Sequence, residues 1–383
     1  MKEQGLMVER SRQRWFIAVF FFVSGILSAS WSSRIPDMQQ KLQLSNAALG
    51  VVLAALPVGL AIGLSFASWA VASYGVKRML LLGSFVLSAI LGLAGAASTP
   101  FLLMLALFFF GVSRTVLNLA VNTGSLDVQR LYEQPIVSSF HGIWSLACLV
   151  AAGIATFLLV KGLSPLLHFL LIAAVVVLTT ILFVRTKFPH QAAEKRPFFV
   201  KPDRYLFLLG LMALSSMLCE GAVFDWSVNY FEKVVKPGKS LMTAGYIAFM
   251  GMMMLGRFVG DRVIHAFGLF RVLTMSSLLM ACGFIVAALL PSAVPAILGF
   301  ALIGLGDSVL VPMIYLLASK SKKMPPSYAL SSVTMVGYAG FILGPLLIGN
   351  ISQYFSMPAA FLVLSGASLC IALLASAVKK LAV

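Results

Sequence analysis

Apolar runs of about 20 residues, the length an α-helix needs to cross ~30 Å of hydrocarbon, recur along the whole of this 383-residue chain. Twelve can be read, near 15–33, 46–73, 79–98, 101–125, 136–160, 165–187, 205–231, 241–264, 270–290, 293–319, 327–352 and 357–378. Period-2 alternation in segments of about ten residues, the signature of an outer-membrane barrel, is absent. Composition agrees, with 60% hydrophobic and 10% charged residues where soluble domains carry about a quarter charged. The expected fold class is all-α and integral to the membrane, with twelve transmembrane helices.

The net charge of +16 would suit a nucleic-acid binder, but the placement of the charges points elsewhere. With the N-terminus inside, 21 of the 28 Lys/Arg fall in or beside cytoplasmic segments and 6 on the opposite side, which leaves Arg114 inside a span. Clusters include Arg10, Arg12 and Arg14; Lys195, Arg196 and Lys201; Lys320, Lys322 and Lys323; and Lys379 with Lys380. That asymmetry is the positive-inside rule, so both termini are expected in the cytoplasm, with anionic lipid headgroups as partners and no nucleic acid. Ser28-Ala29-Ser30 imitates a signal-peptide cleavage site, but the apolar stretch before it is too long and has a counterpart at span seven. The cysteines Cys148, Cys219, Cys282 and Cys370 lie in apolar spans and read as small buried hydrophobes. No metal-ligand cluster, Walker loop, nucleophile elbow or dinucleotide fingerprint is present, so no cofactor, no metal and no enzyme activity are expected.

An internal repeat sets the organisation. At an offset of 193, Gly63 pairs with Gly256, Gly75 with Gly268, Arg78 with Arg271, Gly111 with Gly304, and Ser138-Ser139 with Ser331-Ser332. Near the front the offset is 195, pairing Trp31 with Trp226 and Gly50 with Gly245. Glycines are frequent enough to coincide once; five pairings at one offset mean a duplication. The halves, 1–187 and 205–383, are expected as parallel six-helix bundles joined by a polar, basic cytoplasmic linker over 188–204. Folds of this kind place the solute site near the midplane, between the repeats.

Six plus six spans with a cytoplasmic linker resemble the major facilitator superfamily, over nearly the whole chain. That family has a loop between spans two and three of the form G-x-x-x-D-x-x-G-x-R/K-R/K. Here SWAVASYGVKR keeps Gly75, Lys77 and Arg78, while Ser68 stands for the first glycine and Ala72 for the acid. The second-half stretch GRFVGDRVIHAFGLFR, with Gly256, Arg257 and Gly268, resembles the version found in the fucose-permease-like branch, as do SFHGIWSL, AVNTGSLDVQR and EGAVFDW. The resemblance implies a bacterial inner-membrane transporter, working as a monomer, in which spans one, four, seven and ten line the central path.

The deepest charges fall on those spans. Arg114 is about 13 residues into span four, roughly 20 Å at 1.5 Å per residue, and Asp307 holds the equivalent position in span ten. Asn118 and Asn122 follow Arg114 at i+4 and i+8 on one face, a guanidinium and two carboxamides that suit a carboxylate, a phosphate or a hydroxyl-rich sugar. Tyr315, eight residues after Asp307, is expected to put a phenol on the same face of span ten. Arg114, Asn118, Asn122, Asp307 and Tyr315 are therefore the candidate substrate-binding residues, and a structural pairing of Arg114 with Asp307 is the competing reading.

Glu220 and Asp225 lie in CEGAVFDW, the second half of span seven. Five residues turn a helix by about 500°, so the two carboxylates point about 140° apart and form no single site. Glu220 is the candidate proton carrier, because a carboxyl in a dry site keeps its proton and releases it when wetted; Gly221 beside it would permit a local helix break. The alternative is a Glu220 held structurally by amides or a hydroxyl. His141, near the start of span five, is a second proton-coupling candidate, or simply a hydrogen-bonded histidine. Arg34 and Asp225 are the candidate gate at the outer mouth; in the competing reading Arg34 and Asp37 are solvated loop charges, with Trp31 and Trp226 in an aromatic belt.

The expected function is proton-coupled secondary transport, as a symporter, of a small polar solute, sugar-like or an organic anion. Proton-driven efflux of amphipathic compounds is one alternative. A non-transporting sensor or enzyme on a transporter fold is another.

Overall fold

The computed structural model describes residues 2–133, 136–186, 188, 201–321 and 323–382. Most of the linker expected over 188–204, with Lys195 and Arg196, and also Lys322, lies outside the described residues. All regular elements described are helical: α1 Lys2–Ser32, α2 Ile35–Lys41, α3 Asn46–Tyr74, α4 Val76–Ala96, α5 Pro100–Gln129, α6 Val137–Val160, α7 Pro165–Phe183, α8 Arg204–Tyr230, α9 Ala244–Phe267, α10 Leu269–Leu289, α11 Ala293–Asp307, α12 Leu310–Ser319, α13 Pro326–Tyr354 and α14 Met357–Ala382. Among the described residues, twelve stretches are long and apolar enough to cross a bilayer, from Arg10–Ser32 to Met357–Leu381.

Helix starts follow local chemistry. Thr99, Ser164 and Asp203 each accept a hydrogen bond from the backbone N–H three residues on, and Pro100 and Pro165 take first-turn positions where no N–H is needed. Span ten departs from expectation. It breaks at Ser308–Val309 between α11 and α12, because Pro312 offers no N–H to the Ser308 carbonyl and its ring crowds the preceding turn. The break expected at Gly221 is absent, since α8 runs unbroken from Arg204 to Tyr230. Gly221 instead lets α13 approach: a Cβ there would lie 2.7 Å from the Phe341 ring.

The chain forms two compact units, Met1–Trp31 with Val58–Lys195, and Ser32–Pro57 with Arg196–Val383. It passes from one to the other inside α3 at Pro57, a proline within the helix. In the first unit α4 packs on α5 and α7; in the second α13 lies along α8, α10 joins α11 and α14, and α9 packs on α11.

Each unit repeats the other's internal contacts. A Cβ on Gly63 would come 2.9 Å from Val112 Cα and 3.3 Å from Thr115, while one on Gly256 would come 3.2 Å from Leu305 and 2.7 Å from Ser308 Cβ. Leu305 and Ser308 are the 193-residue counterparts of Val112 and Thr115, so the duplication survives as the same helix crossing. Gly75 and Gly268 repeat a backbone conformation, φ 82° and 81°, that only glycine adopts freely at these helix junctions. Gly251 has nothing within 4 Å of a would-be Cβ and makes no close helix contact, unlike Gly256.

Burial corrects several sequence readings. Trp31 and Trp226 are 2% and 0% exposed, core residues rather than a belt. Arg34 is fully buried and donates from Nη1 to Asp37 Oδ1 at 3.2 Å, so it is no solvated loop charge. Burial pushes the Asp37 carboxyl above its ordinary value, with Arg34 opposing, and pushes the Arg34 guanidinium below its own, with Asp37 opposing. His168 is buried in α7. Cys148 and Cys219 are buried as expected, whereas Cys282 and Cys370 are exposed on the outer faces of α10 and α14.

Candidate transport site

In the first unit the α5 stripe is half-buried. Arg114 carries a buried Nε with no hydrogen-bond partner among the described residues. Asn118 Oδ1 accepts from Ser24 Oγ on α1 at 2.9 Å, and Asn122 Nδ2 donates back to the Asn118 carbonyl at 2.8 Å. Ser24, fully buried, is a member the sequence reading missed, although it sits on span one and faces the stripe. His141 is exposed on α6, its ring edge-on to Phe21 at 5.3 Å.

The second unit gathers its polar groups around the break in span ten. Asp307, 4% exposed, ends α11 and accepts from Ser216 Oγ at 2.7 Å. Ser216 lies one turn before Glu220 on α8, so the two share a face. Glu220 is half-buried, and Glu220 and Arg257 are the charged groups whose fields reach Asp307. Arg257 belongs inside α9, not to a cytoplasmic loop; its neighbour Gly256 presses on Ser308 at the break. The loop motif of the first half does lie at a helix junction, where Gly75, Lys77 and Arg78 line a pocket with Phe188.

Tyr315 joins the same cluster by a different route from the one expected. The break in span ten ends the continuous helix that would have put it on Asp307's face. Its hydroxyl accepts from Thr334 Oγ1 on α13 at 3.0 Å, and Tyr338 and Glu220 are its electrostatic neighbours. Asp307 is thus bonded to Ser216 and Tyr315 to Thr334, and Glu220 is a charged neighbour that acts on both Asp307 and Tyr315. Thr334 and Tyr338 were legible in principle, as polar residues four apart in an apolar span. Asp225 is half-buried further along α8.

Two acidic side chains, a hydroxyl bridge and a helix interrupted at one of the acids thus lie within spanning helices of a duplicated protein. The chain belongs to the Major Facilitator Superfamily, whose family model matches residues 15–329. It is a multi-pass membrane transporter and not an enzyme. An uncharacterized MFS-type transporter of Yersinia pestis is 32% identical over 348 residues, covering 89% of each chain. Among solved structures, the nucleoside transporter NupG shares 15% identity at a TM-score of 0.77, covering 97% of this chain and 99% of that one. The E. coli fucose:proton symporter FucP shares 17% identity at a TM-score of 0.61, covering 97% and 99%. At these identities the likeness to both structures concerns the fold.

Proposed function

We propose that the protein is a proton-coupled symporter of a bacterial inner membrane, working as a monomer by alternating access on a small polar solute, sugar-like or an organic anion. The observation that carries this reading is the pairing of Asp307 with Ser216, one turn from Glu220, at the break in a spanning helix. Two carboxylates beside the Arg257 guanidinium leave an excess of negative charge in the membrane interior, which a transported proton can neutralise. Glu220 is the carrier, with Asp307 both its neighbour and a solute ligand, and His141 relays protons on the cytoplasmic side. Arg34 and Asp225 act in closing the outer mouth. The charge asymmetry of the segments supports cytoplasmic termini.

Solute recognition is divided by chemistry. Arg114 offers a guanidinium fork beside the Asn118 and Asn122 amides, while Asp307 and Tyr315 offer partners for hydroxyls. The printed names of the solved relatives, a nucleoside transporter and a fucose:proton symporter, are in keeping with a hydroxylated solute. The test is a thermal-shift screen of purified protein against hexoses, nucleosides and hydroxy acids, since a ligand of the folded state raises its melting temperature. Arg114→Lys keeps the charge but loses the fork, and is expected to weaken binding of the best solute about tenfold, as a lost charged hydrogen bond of ~1.4 kcal/mol would. Unchanged affinity in that variant would remove Arg114 from the site.

A further inference from the structure

The end of α8 carries a polar cluster that the transport site does not use. There the α-helix gives way to a π-helical turn over Phe231–Val235, closed by Lys236 N–H to the Phe231 carbonyl at 2.7 Å, with Lys236 left-handed at φ 50°. A turn of this kind, with a left-handed residue after it, is a common way for a helix to end. Here the turn presents Lys233. Its Nζ donates to Gln39 Oε1 at 2.6 Å and to Asn46 Oδ1 at 2.9 Å.

Gln39, 4% exposed, is the hub. Its Oε1 also accepts from Asn229 Nδ2 at 2.6 Å, and its Nε2 donates to the Leu44 carbonyl and to Asn46 Oδ1, both at 3.0 Å. Asn46 N–H donates to Gln353 Oε1 on α13 at 3.0 Å. At the rim, Gln40 Nε2 donates to Glu232 Oε1 at 2.5 Å. All of these residues belong to the second compact unit, so the Ser32–Pro57 segment, next in sequence to α1, is tied instead to the ends of α8 and α13.

One feature suits a joint that opens. The ammonium is bonded directly to neutral carboxamide oxygens, whose hydrogen bonds water can replace, while the neighbouring Glu232 carboxylate accepts from Gln40 instead.

We propose that Gln39, Asn46, Asn229 and Lys233 form a clasp that holds the Ser32–Pro57 segment against the end of α8, and that its release opens the path to that side of the membrane. The assignment rests on the alternating-access reading above. Gln39 is the positioning residue, since its loss frees Lys233 and Asn229 together.

The test is labelling of one engineered cysteine by a membrane-impermeant maleimide in proteoliposomes, after replacing the four native cysteines. Ser227→Cys is a suitable reporter, because Ser227 is fully buried and its hydroxyl makes no bond to lose. Gln39→Leu and Lys233→Met are each expected to speed labelling about tenfold, the shift that losing one or two hydrogen bonds produces. Lys239→Met, which removes a nearby exposed charge, keeps the parent rate. An unchanged rate in Gln39→Leu, or an equal increase in Lys239→Met, would overturn the clasp. The labelling needs neither solute nor protons. Its expected pattern in a protein that accumulates nothing under a pH gradient would therefore sustain the clasp and sink the coupling.

Discussion

A Glu220→Gln variant is expected to bind solute and exchange it across the membrane, yet fail to accumulate it when a pH difference is imposed. The amide matches the carboxyl in shape and hydrogen-bonding capacity but takes up and gives up no proton. Placing a carboxylate in the membrane interior costs a few kcal/mol, and each 1.4 kcal/mol is a factor of ten in occupancy. On the proposed coupling, protonation decides which states of the carrier are populated, and a side chain fixed as neutral removes that control. Asp307→Asn should do the same and also weaken binding if Asp307 is the solute ligand proposed above, while keeping an acceptor for Ser216 at the break. If the two acids act as one unit, as proposed, the double variant should be no more impaired in pH-driven uptake than either single one. Wild-type pH dependence in Glu220→Gln would end its role as carrier.

The second large effect concerns the repeat itself. Gly304→Leu places a branched side chain where a Cβ alone would lie 2.9 Å from Phe249 Cα and 2.8 Å from its carbonyl carbon. Backbone cannot step aside as a side-chain tip can, so α9 and α11 must separate. Overpacking of this kind costs about 1–3 kcal/mol or more, and here it also displaces the break that holds Asp307. Loss of monodisperse protein, or a melting temperature lower by several degrees, is expected in detergent. Gly366→Leu, at a position with open space around it, is the matched control and should melt like the parent. Equal melting of Gly304→Leu and Gly366→Leu would contradict the packing described for α9 on α11.

Much of this was legible before any coordinates. The spans were, because run length in an apolar solvent leaves few choices. So was the duplication, whose glycine pairs mark the same helix crossings in both units. Glu220 and Asp307 stood out because charges inside apolar runs are expensive. The arrangement around them was not legible. A proline inside a membrane helix is tolerated as often as it breaks the helix, so Pro312 did not announce the interruption at Ser308. Arg257 was hidden by a motif that suggested a loop. Lys233 meets Gln39 across 194 residues, a pairing that periodicity cannot show. Trp31 and Trp226 read as belt residues because amphipathic rings near span ends usually are; here neighbouring helices cover both.

The central claim is that solute and proton move together through the Glu220–Asp307 cluster. Its most direct test is proton flux in proteoliposomes carrying an internal pH-sensitive dye, with no initial pH gradient. An inward gradient of the hexose, nucleoside or hydroxy acid that raises the melting temperature is then applied. Acidification of the lumen that is matched to solute entry, and absent in Glu220→Gln, is the predicted result. Solute entry with no change in internal pH, or the same acidification in Glu220→Gln, would contradict it.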